Sequence, residues 1–180
     1  MKTFIYLIVF SCLLSCTSKK PNPVFQLMES TGIEFNNKVI DGQLENSFLF
    51  RNMYNGGGVA LGDINNDGLA DVFFTSNQQD NKLYVNKGNF RFEDISQKAG
   101  LQQDSMWSTG VVMADVNGDG WLDIYVCNSG HMRNGKRRNK LYINNHNLTF
   151  TEQAEKFGLA MSGYCTQASF FDYDLDGDLD

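Results

Sequence analysis

Three nine-residue stretches of this chain obey one rule. Positions 1, 3 and 5 carry an acidic or amide side chain, position 6 is glycine and position 9 is aspartate. They are Asp63–Asp71 (DINNDGLAD), Asp115–Asp123 (DVNGDGWLD) and Asp172–Asp180 (DYDLDGDLD). Carboxylates crowded in this way repel one another unless a cation sits among them. Hard cations such as Ca²⁺ take about six to eight oxygens, and short loops of this kind supply them. In the first stretch Asp63, Asn65 and Asp67 offer side-chain oxygens, Leu69 its backbone carbonyl and Asp71 the closing carboxylate. Asp115, Asn117, Asp119, Trp121 and Asp123 repeat the set, as do Asp172, Asp174, Asp176, Asp178 and Asp180. Asp, Asn and Gly also cluster in ordinary turns, where their side chains bond local backbone. A turn has no use for three spaced carboxylates, and three copies in register weigh against that reading. An EF-hand is excluded, because its loop needs a Glu at position 12, where this chain has Phe74 and Val126 inside apolar runs.

The loops punctuate a longer repeat. They begin at residues 63, 115 and 172, and Asn81-Lys82-Leu83-Tyr84 returns as Asn139-Lys140-Leu141-Tyr142. Self-similarity at such a period marks supersecondary units that bury their faces by stacking on neighbours. Each unit reads as short strands. Residues 58–62, 110–114 and 167–171 lead into the loops, and 72–75 and 124–127 lead out. Residues 83–85 and 141–143 form a third strand, and 90–92 and 148–150 begin a fourth. The stretches SQKAG and QAEKFG read as short helical turns ended by glycine. Four strands per unit of about 50 residues is the signature of a β-propeller blade. The expected fold is therefore all-β, with blades of four antiparallel strands. About two and a half blades of an incomplete ring are present (58–101, 110–159 and a truncated 167–180).

The pairing of GVALGDINNDGLADVFFTSN with NKLYVNKG and FEDIS resembles the FG-GAP/VCBS repeats of integrin-α-type propellers. It is especially similar to large bacterial lipoproteins that carry an ASPIC/UnbV domain, although nothing in these residues corresponds to that domain. The resemblance implies Ca²⁺ in a loop between the first two strands of each blade. It also implies an N-terminal piece of a longer protein. Residues 25–33 resemble the end of a repeat, so the segment 24–57 is expected to give an outer strand to the blade that closes the ring.

Met1-Lys2-Thr3 followed by an apolar run from Phe4 to Leu14 reads as a signal peptide, too short to span a bilayer. Leu13-Leu14-Ser15-Cys16 resembles a lipobox. The expectation is cleavage before Cys16, lipidation of that cysteine, a polar tether over 17–23 and anchorage to the outer membrane of a Gram-negative cell, facing either way. Cys127 and Cys165 are expected as buried free thiols. The net charge of −6 resides largely in the loops. The stretch 131–140 departs from it, with Arg133, Lys136, Arg137, Arg138 and Lys140 offering a surface for an anionic glycan or protein. No stacking aromatics interleave these basic residues, so nucleic acid is not expected.

The recurrent polar residues are read as metal ligands or turn formers, and no nucleophile pairs with a base. The function expected is therefore a non-enzymatic calcium-binding scaffold of the cell envelope that holds a protein or glycan partner. The alternative is a propeller-scaffold enzyme acting on polysaccharide, with its catalytic part beyond residue 180.

Overall fold

The computed structural model describes residues 24–43, 45–101, 106–130 and 137–180. The expected signal segment 1–16 with Cys16, the tether 17–23, and Arg133 and Lys136 of the basic stretch lie outside the described residues. Within them the chain is all-β, as eight strands and no helix. β1 (Val59–Gly62), β2 (Asp71–Phe74), β3 (Lys82–Asn86) and β4 (Phe92–Asp94) form one sheet. β5 (Trp107–Ala114), β6 (Asp123–Ser129), β7 (Lys140–Asn144) and β8 (Phe150–Glu152) form a second. Both are antiparallel and run in chain order. These are two open propeller blades.

Apolar patterning follows the stacking. β6 (DIYVCNS) is buried along its whole length, as a strand covered on both faces must be. Phe73, Leu83 and Val85 of the first blade meet Val111, Ile124, Val126 and Tyr142 of the second in one core. The other face of the second blade gathers Tyr125, Cys127, Leu141 and Ile143, against which Ala168 and Phe170 of the third repeat pack. Burying each such large side chain is worth about 1.5–3 kcal/mol, so the blades are held mainly by one another.

Two expectations change. The fourth strands begin at Phe92 and Phe150, because Phe90 (φ 54°) and Leu148 (φ 64°) sit in left-handed turn geometry that no ladder accepts. Residues 167–171 form no strand; Phe171 alone exchanges backbone hydrogen bonds, with Asp180 at 3.4 and 3.1 Å. The glycine-ended stretches are the short turns expected, closed by Ala99 N–H on the Ile95 carbonyl and Phe157 N–H on the Gln153 carbonyl. Residues 24–43 form no strand of either sheet, and neither sheet is the closing blade to which that segment is expected to contribute.

That N-terminal segment lies instead against the first blade. Residues 31–40 alternate between half-buried and exposed, the period of an extended chain with one face covered. Phe92 N–H donates to the Thr31 carbonyl at 2.8 Å, as Phe150 N–H donates to the Ala99 carbonyl at 3.0 Å. The segment thus meets the first blade as the end of the first repeat meets the second. Tyr84 Oη donates to the Glu34 carbonyl at 2.7 Å, and Phe35 stacks on Phe74 at 4.8 Å.

The innermost strands approach so closely that side chains are excluded. A Cβ on Gly58 would stand 2.7 Å from the Thr109 carbonyl oxygen and 3.1 Å from Gly110 Cα. Gly58→Ala should therefore cost about 1–3 kcal/mol, the usual range for forced overpacking. At about 2–4 °C per kcal/mol for a chain of this size, thermal melting will show it.

The two blades also differ at one buried hydrogen bond. Asn139 accepts Asn128 N–H and donates Nδ2 to Tyr125 Oη at 2.8 Å. Asn81 likewise accepts Ser76 N–H, but its buried Nδ2 has no partner. The residue in Tyr125's place is Phe73, fully buried and without a hydroxyl. Phe73→Tyr should stabilise the chain by about 0.5–1.5 kcal/mol by supplying that acceptor, and Tyr125→Phe should destabilise it by about 1–3 kcal/mol. Urea denaturation of both variants reads the two signs.

Candidate functional site

Each acidic loop is wound around its own first residue. In the first, Asp63 accepts Asp67 N–H through Oδ1 at 3.1 Å and Gly68 N–H through Oδ2 at 2.7 Å. Asn65 Oδ1 accepts Asp67 N–H, and Asp67 Oδ1 accepts Leu69 N–H. The second loop repeats every bond with Asp115, Asn117, Asp119, Gly120 and Trp121. The third repeats three of them, with Asp172 accepting Asp176 N–H and Gly177 N–H, and Asp176 accepting Asp178 N–H. Leu69, Trp121 and Asp178 are thereby fixed at position 7. The glycine at position 6 has positive φ in all three loops, 84°, 84° and 99°, where a Cβ would be strained.

The aspartate at position 9 does different work. Asp71 is fully buried. Its Oδ2 accepts Ile64 N–H at 3.0 Å and its Oδ1 accepts Asn86 N–H at 2.7 Å. Asp123 is equally buried, accepting Val116 N–H at 3.1 Å and Asn144 N–H at 2.8 Å. Each therefore ties its loop to the third strand of its blade. Burial pushes both carboxyl pKa values up, and the backbone N–H groups pull against it. Asp180 is exposed and makes only the first of these bonds, accepting Tyr173 N–H at 2.8 Å.

An ionised carboxylate has about four lone-pair sites on two oxygens, so oxygens that each accept one N–H keep capacity for a cation. In the third loop, carboxylate oxygens of Asp172, Asp174 and Asp176 all lie within 4.8 Å of one another. The first two loops have Asn65 and Asn117 at the middle position, each donating Nδ2 to the carboxylate at position 5, at 3.0 and 2.8 Å. All three loops thus present hard oxygen donors on a backbone already bent around them. That donor chemistry fits Ca²⁺: positions 1, 3 and 5 would offer side chains, position 7 its carbonyl and position 9 the last carboxylate.

Sequence reasoning missed several residues. Asn86 and Asn144 recur at the end of the third strand in both repeats, and that recurrence was the available signal. They close the turn that follows, Asn86 Oδ1 accepting Gly88 N–H and Asn144 Oδ1 accepting His146 N–H, each at 2.9 Å, and Asn144 Nδ2 also donates to the Ile64 carbonyl of the neighbouring loop at 2.8 Å. Asn66 Nδ2 of the first loop donates to the Gly120 carbonyl of the second at 3.1 Å, so adjacent loops are joined directly. His146 stacks on Trp121 at 4.8 Å and sets Nε2 3.0 Å from Asp119 Oδ2. That contact holds the Asp119 carboxyl below the usual range. The matching residue of the first repeat is Gly88.

Other expected site residues are placed as follows. Arg138 faces Glu155 at 3.0 Å, Lys140 faces Glu152 at 3.9 Å, and Arg137 lies over the Tyr164 ring, so these cations already have partners within the chain. Cys127 and Cys165 are free thiols. Burial pushes Cys127 up to about 11, whereas Cys165 is only half-buried and accepts Asn139 Nδ2 at 3.2 Å.

This geometry agrees with comparisons to known proteins. Residues 63–126 match the FG-GAP-like repeat. The chain is also similar to cartilage acidic protein 1 of Xenopus tropicalis, 35% identical over 126 residues, which cover 68% of this chain and 19% of that protein. The human and mouse proteins of that name are each 34% identical, over 94 and 91 residues. The chain spans 14–19% of the length of these relatives.

His146 gives the second loop an orienting partner that the first lacks. His146→Ala should weaken cation binding at that loop about tenfold, the lower end of what such outer partners contribute. Terbium luminescence excited through Trp121 reads that loop selectively, and His146→Gln, which keeps a donor, should recover most of the affinity.

Proposed function

We propose that this chain is part of a calcium-stabilised β-propeller that serves as a non-enzymatic binding scaffold at the cell envelope. The observation that carries the reading is the loop geometry, one hydrogen-bond pattern built around oxygen donors in three successive repeats. The match to the FG-GAP-like repeat supports the scaffold role. The apolar leader and Leu13-Leu14-Ser15-Cys16 support the reading of export, a lipid on Cys16 and anchorage to the outer membrane. Incorporation of labelled palmitate, abolished by Cys16→Ala, tests the anchor.

Calcium here is structural. Its ligands are bound into the connections between first and second strands, so binding favours the folded form. With Ca²⁺ at about ten times Kd, each site contributes roughly 1.4 kcal/mol, and three sites together about 4 kcal/mol. The partner is a protein or a glycan held on a propeller face. An enzyme of polysaccharides finds no supporting constellation among the described residues.

Calorimetric titration of the chain with Ca²⁺ decides the reading. The expected result is three sites, with one lost in Asp119→Ala, and a melting temperature that falls by about 8–16 °C when the cation is chelated, at about 2–4 °C per kcal/mol. Equal heats for wild type and Asp119→Ala would count against the second loop as a site.

A further inference from the structure

The inner ends of the strands enclose a small cavity of about 180 Å³ beside the first and second blades. Asn52, Asn55, Thr109, Ser129, Thr166 and Gln167 line it, together with the backbone of the glycines between them. None of the described residues in its wall is charged, and every one of those six side chains can hydrogen-bond.

The cavity lies where the two blades differ. In the first blade, Asn77 reaches out from the end of β2 and donates Nδ2 to the Gly56 carbonyl at 3.0 Å and the Ser108 carbonyl at 2.9 Å. The matching residue of the second blade is the shorter Ser129. Its buried Oγ has no hydrogen-bond partner, and neither does the buried Nε1 of Trp107, its cross-strand neighbour. Among the described residues only one other buried side-chain polar atom is left so, the Asn81 amide explained above. A buried polar group without a partner costs about 1–3 kcal/mol; the shorter Ser129 stands in the cavity wall where the first blade has the longer Asn77.

Two residues from Thr166, Tyr164 presents a half-exposed ring, stacked on Phe50 at 6.2 Å, while Phe50 meets Trp107 edge-on at 5.2 Å. Phe50 and Arg137 both lie against this ring, so the contacts available to a ligand come from the polar wall of the cavity. Drug-sized ligands need about 300–1,000 Å³, so the occupant is smaller.

We propose that this cavity binds one ring of a neutral saccharide, with Asn52, Asn55 and Gln167 meeting its hydroxyls. Amides and hydroxyls both give and accept hydrogen bonds, as sugar hydroxyls require, and the uncharged wall disfavours an acidic sugar. The proposal rests on the scaffold reading but not on calcium, so the calcium titration and the test below fail independently.

Saturation-transfer NMR of the full chain against millimolar glucose, galactose, mannose and N-acetylglucosamine, with glucuronate as charged control, tests it. The expected result is transfer to at least one neutral sugar and none to glucuronate. Ser129→Asn, which installs the first blade's residue and fills the space, should reduce transfer at least tenfold while melting temperature and circular dichroism hold. Should that variant fail to fold, Gln167→Ala, at the exposed rim, should weaken binding without unfolding. Transfer to no neutral sugar, or transfer unchanged in the folded variants, or transfer to glucuronate alone, overturns the proposal.

Discussion

The blades depend on one arrangement, a buried carboxylate that serves two backbones at once. Asp71 and Asp123 each take an N–H from the second residue of their own loop and another from the end of the blade's third strand. A buried carboxylate is costly to leave unpaired, and hydrogen bonds to its charged form offset that cost. The ninth residue of the loop is also the first residue of β2 or β6, so the loop cannot change shape without disturbing the ladder. Loop and sheet form one mechanical unit.

The units are then joined to each other by polar as well as apolar contacts. Asn66 of the first loop reaches the Gly120 carbonyl of the second, and Asn144 of the second blade reaches the Ile64 carbonyl of the first. Gly58 lies against Thr109 and Gly110 at the inner end, so backbones approach there without side chains between them. A cation that stiffens one loop therefore acts on the next blade's position as well as on its own hairpin. This explains why the loops recur once per repeat: an isolated one would stabilise one corner of a stack whose other joints stayed loose.

Much of this was legible before any coordinates. Period-2 apolar runs and the recurring NKLY segment located the inner three strands of each blade, and the acidic loops located the hairpins between the first and second. What escaped had physical reasons. Phe90 and Leu148 look like strand residues by type, but the hairpin places them at positive φ, which residue identity does not reveal. Asn81, Asn139 and Asn144 recur like ligands or turn residues, yet they are buried, and Asn144 bonds the Ile64 carbonyl of the other blade, a partner that only the stacking of sheets makes available. His146 lies 27 residues from Asp119 and meets it because β7 returns alongside the second loop. The N-terminal segment aligned with a repeat end through Thr31-Gly32-Ile33. It docks on the first blade through Thr31, as the end of the first repeat docks on the second.

Comparison of the repeats with each other separates scaffold from speciality. Where both blades carry the same residue, as at Asp71 and Asp123, Asn86 and Asn144, or Gly58 and Gly110, the residue closes a loop, ends a strand or lets backbones meet. Stacking requires these in every unit, so they carry little information about a partner. Where the blades diverge the scaffold tolerates the change, and three of the divergences alter a polar group described above: Phe73 against Tyr125, Asn77 against Ser129, Gly88 against His146. The first leaves an amide donor unmet within the core, where no ligand is needed to account for it. The last adds a partner to a single acidic loop. Only the exchange of Asn77 for Ser129 shortens a side chain in the wall of a cavity. Identical blades would give a ring of equivalent joints, and selectivity has to come from a position where that equivalence is broken.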